Sequence, residues 1–177
     1  VVGPYIAIFT EWLGNLININ VDKHPFIGGI VISVSMGMFL TLPISSAAIG
    51  IMLGLSGLAS GAATIGCCCQ MVGFAVMSFK ENKVGGLISQ GIGTSMLQMP
   101  NIIRHPQIWI PPILSSAILA PVSTMVFKMV SNPVGSGMGT SGLVGQFSAY
   151  AVMVGAGTHP ATAVIQILSL IHISEPT

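Results

Sequence analysis

The sequence predicts an all-α fold, a polytopic transmembrane helical bundle with broken or re-entrant helices, and three observations lead there. Charged residues make up 5% of the 177 and hydrophobic residues 52%, whereas a soluble domain carries about 25% charged residues. Mean hydropathy is +0.89. The 22 glycines and 11 prolines fall inside the apolar runs as well as between them. So few charges cannot cover a surface facing water, and a disordered chain needs the opposite composition. The solvent around most of this chain is lipid, where a helix satisfies its own backbone.

A span takes about 20 apolar residues. Such runs lie at roughly 1–19, 27–53, 62–78, 107–130 and 143–167. The first carries Glu11, the only acidic residue inside a predicted span, with Asn15 at i+4 and Asn18 a turn further on. This polar stripe should face a cavity rather than lipid. The second is interrupted by "TLPISS" at Pro43, where the hydroxyls of Ser45 and Ser46 are expected to satisfy carbonyls freed by the proline. It runs into "GIMLGLSGLASG", whose pairs Gly50 with Gly54 and Gly57 with Gly61 have the spacing that lets helix backbones approach closely.

The third run holds Cys67, Cys68 and Cys69. Successive helical positions diverge by about 100°, so the three sulfurs cannot converge on one ion, and they are expected to act as small apolar core residues with no metal site. The fourth run is interrupted by Pro111, Pro112 and Pro121, and the fifth by "THP" at His159 and Pro160. Interruptions at membrane depth are tolerated where protein or a wet cavity surrounds the backbone, which suits a transporter better than an anchor.

Two polar connections, "NVDKHP" at 20–25 and "FKENKVGG" at 79–86, hold Lys23, Lys80 and Lys83. If the second and third runs each cross once, both connections share one face, which the positive-inside rule makes cytoplasmic. Residues 85–103, "GGLISQGIGTSMLQMPNII", are too polar and glycine-rich to face lipid and are expected to form a re-entrant or broken segment buried in the bundle. Whether the chain crosses there decides which side Arg104 reaches.

Arg104 and His105 sit between Pro100 and Pro106. A cation at the bilayer centre costs from about 2.5 to more than 10 kcal/mol, so an intramembrane charge points to function. The competing reading is an interfacial loop with Arg104 snorkelling to headgroups. Asn101 both donates and accepts, which suits a hydroxylated ligand, and Gln90 and Gln98 lie nearby. The candidate solute-binding residues are therefore Glu11, Asn15, Gln98, Asn101, Arg104 and His105. Gly137, Gly139 and Gly142 have GxGxxG spacing, but with neither a strand before them nor an acidic ribose partner they are expected to form an extended loop. No nucleophile, base and orienting group form a constellation, so neither a catalytic residue nor a cofactor is expected. A net charge of +1 offers no stripe for nucleic acid.

The chain opens at Val1 inside an apolar run, and it is expected to be a fragment comprising one membrane domain over 1–167. The last ten residues, "LSLIHISEPT", read as the translation of a transposase adapter used in sequencing libraries, CTG TCT CTT ATA CAC ATC TCC GAG CCC ACG. Residues 168–177 are expected to be a non-native tail, and His172 and Glu175 are left out of the functional argument.

Four stretches together, "VGPYIAIFTEWLGNLIN" (2–18), "LPISSAAIGIMLGLSGLASGAATIG" (42–66), "MPNIIRHP" (99–106) and "GMGTSGLVG" (137–145), resemble the enzyme IIC-like membrane domain of the bacterial phosphotransferase system, in the branch of perfringolysin O regulator-like proteins. The resemblance implies a multi-pass permease of the bacterial inner membrane, usually a homodimer, that binds a sugar and presents it to a cytoplasmic IIB domain. It also implies IIA and IIB partners that carry the phosphorylated His or Cys, and a membrane-embedded Glu and His on the sugar. Glu11 and His105 match the latter by residue type and location. The regulator-like branch carries a second implication, a membrane sensor that signals without transport.

Overall fold

The computed structural model describes residues 3–173, without the side chains of 3–7, 9–11, 167 and 170–173. The side chain of Glu11 thus lies outside the described residues. Every regular element among those residues is helical, and one isolated bridge joins Gly57 to Ser131. The helices are α1 (Gly3–Lys23), α2 (Pro25–Thr41), α3 (Ser46–Met52), α4 (Gly57–Met77), α5 (Phe79–Ile88), α6 (Met99–Arg104), α7 (Ile110–Pro121), α8 (Pro133–Ser136), α9 (Val144–Gly155) and α10 (Pro160–Ile173).

The bundle is built around α4, in which every residue from Ala59 to Met71 is buried. Its sequence explains this. Gly61, Ala62, Ala63, Gly66 and the three cysteines present little more than backbone, so neighbours close in from all sides. A Cβ on Gly66 would fall 1.9 Å from the Ser33 carbonyl oxygen of α2, and one on Gly61 would fall 1.8 Å from that of Met129. The Ser33 hydroxyl donates to the Ser116 carbonyl at 3.2 Å, tying α2 to α7. One apolar cluster gathers Val21, Met36, Leu40, Leu55 and Met71, and a second gathers Ile65, Cys69, Leu119, Met129 and Met153. Outward, Ile110, Leu114 and Ile118 form an exposed stripe at i, i+4 and i+8 along α7.

These contacts fix the direction of each helix. Ser33 meets Gly66 while Gly37 meets Gln70, so α2 and α4 run parallel. Gly29 meets Thr124 while Ser33 meets Ser116, and Gly73 meets Pro112, so α7 runs against both. Parallel neighbours require the chain to return between them. Residues 42–56 make that return: an extended Leu42, the turn at Pro43, the short α3, and a turn at Gly54 and Gly57, both with φ of +57°.

The expectation that 27–53 crosses once is corrected by this arrangement. Lys23 closes α1 at the end of the bundle where α4 begins, whereas Lys80 and Lys83 lie just beyond the opposite end. The two connections are on opposite faces because "TLPISS" reverses the chain instead of kinking a continuous span. "FKENKVGG" is helical as well, within α5, and broken at Lys83 (φ 53°, ψ −148°).

Between α4 and α7 the chain leaves and re-enters at one end. After α5, residues Ser89–Gly93 form a π turn and Ser95–Gln98 a 3-10 turn before α6. A Cβ on Gly91 would stand 3.4 Å from the Cβ of Ala75, so the segment reaches the last turns of α4. Because Pro112 of α7 packs on Gly73, the chain has come back to the end it left. Arg104 therefore shares its face with Lys80 and Lys83. Further on, Pro106–Trp109 and Val122–Val126 extend α7, giving a helical run long and apolar enough to span, as α4 is.

The small-residue pairs divide. Gly50 and Gly61 are packing glycines, against Ser136 and Met129, whereas Gly54 and Gly57 have open space around them and serve as left-handed turns. Ser45 caps α3 by accepting from the Ala48 amide at 3.3 Å, and Ser46 donates to the Gly137 carbonyl at 2.6 Å. Neither answers a carbonyl freed by Pro43. The 137–145 stretch is compact rather than extended, with left-handed residues at Gly139, Gly142 and Leu143, and a Cβ on Gly137 would meet the Ser46 backbone at 2.3 Å.

Candidate functional site

Where α5, the broken segment and α6 meet, a polar cleft of about 470 Å³ opens at the Lys80 end of the bundle. Small-molecule sites occupy about 300–1,000 Å³. Asn82, Ser89, Gln90, Gln98 and Asn101 line it, with Gly85 and Gly86 keeping one wall low. Among the described residues the lining holds no charged side chain. At its base the amides form a chain: Asn101 Nδ2 donates to Gln98 Oε1 at 2.9 Å, and Gln98 Nε2 donates to Gln90 Oε1 at 2.9 Å. Gln90 and Gln98 are buried, and Asn101 is exposed at the mouth.

Local sequence explains the arrangement. Four glycines and three hydroxyl residues in 85–95 cannot sustain a regular helix, and the π and 3-10 turns they adopt place Gln90 and Gln98 side by side. Thr94 starts the 3-10 turn by accepting from the Met96 amide at 3.2 Å. Pro100 sits in the first turn of α6, where its missing N–H costs nothing. The amide chain consumes one donor and one acceptor of Gln98, leaving the Gln90 NH₂ and the Asn101 carbonyl oxygen at its two ends. One end gives and the other receives, as a hydroxylated solute requires.

Of the six sequence candidates, the structure brings Gln98 and Asn101 together. Arg104 is exposed in the last turn of α6, where its charge suits the helix C-terminus, and His105 follows as the exposed cap residue. Neither lines the cleft. Asn15 is exposed on α1. Asn18, one turn on, has a structural task, its Nδ2 donating to the Gly54 carbonyl at 3.0 Å and its Oδ1 accepting from the Ser56 amide at 3.3 Å. Asn82 and Ser89 were not singled out in the sequence. The signal that finds them is the polar run 79–90 directly preceding the glycine-rich break.

Two other features are set apart from this cleft. An apolar groove of about 310 Å³ lies between α1 and α2, lined mainly by residues such as Leu16, Val21 and Ile27, and offers almost nothing for hydrogen bonding. Gln70, at the centre of α4, is fully buried with neither of its amide atoms bonded to a protein group.

The chain matches none of the curated proteins and none of the solved structures with which it was compared. One family model does match, over residues 1–174, and it describes the EIIC component of the phosphotransferase system. With the apolar helical bundle and, among the described residues, two helices long enough to span, the match makes this a membrane protein of permease type: the chain belongs to the phosphotransferase system EIIC family.

Proposed function

We propose that this chain is the sugar-binding and translocating part of a phosphoenolpyruvate-dependent permease, and that the cleft at the end of α4 holds the solute. One observation carries the reading. An uncharged, hydroxyl- and amide-lined cleft stands at the end of an otherwise apolar bundle, its amides already linked so that a donor and an acceptor remain free. Among the described residues no charged side chain lines it, which favours a neutral polyhydroxy compound over an anion, since a buried anion needs a compensating partner.

The cleft shares its face with Lys80, Lys83 and Arg104, while Lys23 and Lys128 lie toward the other end. By the positive-inside rule the cleft then opens to the cytoplasm of a bacterial cell, where IIA and IIB partners would meet the solute. Gln90, Gln98 and Asn101 bind it, and Arg104 and His105 edge the mouth. Asn15, on α1, is not assigned to the cleft, because Asn18 one turn beyond it is bonded to Gly54 and Ser56 beside the start of α4. The stripe of Ile110, Leu114 and Ile118 faces lipid, and two copies assemble as a homodimer.

The test is uptake of a panel of radiolabelled sugars into vesicles carrying the full-length protein with IIA, IIB and phosphoenolpyruvate. Asn101→Ala should raise KM roughly tenfold, the loss of one hydrogen bond of about 1 kcal/mol or slightly more. Gln98→Leu should be worse, because it strands both neighbouring amides. Arg104→Ala with His105→Ala should change uptake less than either. A sugar that binds without entering replaces transport by sensing, and wild-type uptake by Gln98→Leu at equal abundance rejects the cleft.

A further inference from the structure

The broken segment that forms the floor of the cleft is held from the far side of the sequence. The Thr140 hydroxyl donates to the Gly91 carbonyl, and the Ser141 hydroxyl donates to the Gly93 carbonyl at 2.9 Å, across 49 and 48 residues. Both acceptors belong to the π turn Ser89–Gly93, which ends where Thr94 turns extended. Carbonyls at such a break need donors from elsewhere. Thr140 is buried, and its oxygen also meets Met71 Sδ at 3.3 Å, so the hydroxyl is fixed against α4 before it reaches the turn.

The same segment borders two spaces. Ser89, Gln90 and Gln98 line the solute cleft, while Gly93, Thr94 and Met96 line a second cavity of about 160 Å³, which also contains Ser141. The two cavities share no lining residue. What fastens the turn therefore fixes both the position of Gln90 and the wall between the spaces.

We propose that Thr140 and Ser141 are positioning residues of the solute cleft, a latch that holds the π turn in place and keeps the segment closed as a partition between the two cavities. The functional meaning of the latch rests on the solute reading of the cleft. Its physical content does not, since releasing the two hydroxyl contacts should loosen residues 89–98 whatever the cleft binds.

The experiment uses the full-length protein in nanodiscs and in liposomes. Thr140→Val with Ser141→Ala removes both donors at nearly constant volume, and Thr140→Ser keeps them. Hydrogen–deuterium exchange of amides 89–98 should rise roughly tenfold in the double variant and stay at the parental rate in Thr140→Ser, with α4 and α9 unchanged in both. Liposomes loaded with radiolabelled sorbitol should leak several-fold faster with the double variant. Unchanged exchange, a rise spread through the whole chain, or a leak no faster than the parent's would each overturn the latch. If the exchange and leak behave as stated while the parent takes up no sugar, the transport reading fails and the latch stands.

Discussion

Gly66 shows how much one hydrogen atom decides in this bundle. The position faces the Ser33 carbonyl so closely that any side chain must push α2 away from α4. Overpacking of this kind costs about 1–3 kcal/mol, so Gly66→Ala should lower the thermal midpoint in detergent by several degrees. Gly155→Ala, where nothing stands within 4 Å, should leave it unchanged. Equal midpoints would remove backbone approach as the reason for glycine here. Gln70 predicts the opposite sign. Its amide is buried without a protein partner, a cost of about 1–3 kcal/mol, and Gln70→Met keeps the length without the polar atoms. The methionine variant should melt a few degrees higher, and a fall would mean that Gln70 has a partner in the membrane-embedded protein. Neither role was legible beforehand. Spacing nominated Gly50, Gly54, Gly57 and Gly61 alike, and only the positive φ of Gly54 and Gly57 separates turn glycines from packing ones.

Among the elements, those defined by apolar length were the readable ones. The runs at 62–78 and 107–130 correspond to α4 and to the helical stretch around α7, and the break foreseen at "THP" separates α9 from α10. Polarity and glycine content also marked 85–103 as irregular, and with it Gln98 and Asn101, but the expected burial in the bundle is corrected, since Ile88, Ile92, Leu97 and Ile103 are exposed. What the sequence hid was direction. A proline such as Pro43 marks an interruption, but whether the helix resumes or the chain turns back is settled by packing, here by Gly50 against Ser136 and Ser46 on the Gly137 carbonyl. The 79–86 stretch was hidden for a different reason, because charged residues were read as a loop where they form the exposed α5. That helix contains Lys83 at φ 53° and ψ −148°, a conformation that costs a residue with a side chain about 1–3 kcal/mol. Lys83→Gly should therefore raise stability by about 1 kcal/mol despite the flexibility glycine adds to the unfolded chain. A lower midpoint for the glycine variant would show that the lysine side chain contributes more than the strain costs.

For the molecule as a whole, the consequence of parallel α2 and α4 is sidedness. An even alternation of spans would put Lys23, Lys80 and Lys83 together on one face, and the charge rule would then have made Lys23 cytoplasmic with the other two. With residues 42–56 returning through the bundle, Lys23 and Lys83 stand at opposite ends. The re-entrant 79–104 segment gathers Lys80, Lys83 and Arg104 at one of them, the end at which the cleft opens. Three cations against two is a small excess. It coincides, however, with the face where a polar cleft opens, as the proposed handover of a solute to cytoplasmic partners requires. The arrangement is testable without knowing the solute. In a full-length background with Cys67, Cys68 and Cys69 replaced by alanine, single cysteines at Lys23 and Lys83 should differ in their reaction with a membrane-impermeant thiol reagent. Lys23→Cys should label in intact cells, and Lys83→Cys only after permeabilisation. The reverse pattern keeps the parallel helices but turns the cleft outward, and with it the proposed meeting with IIB fails. Labelling of both from one side would contradict the return of 42–56 itself, because no bundle in which α2 and α4 run parallel can bring those two positions to the same face.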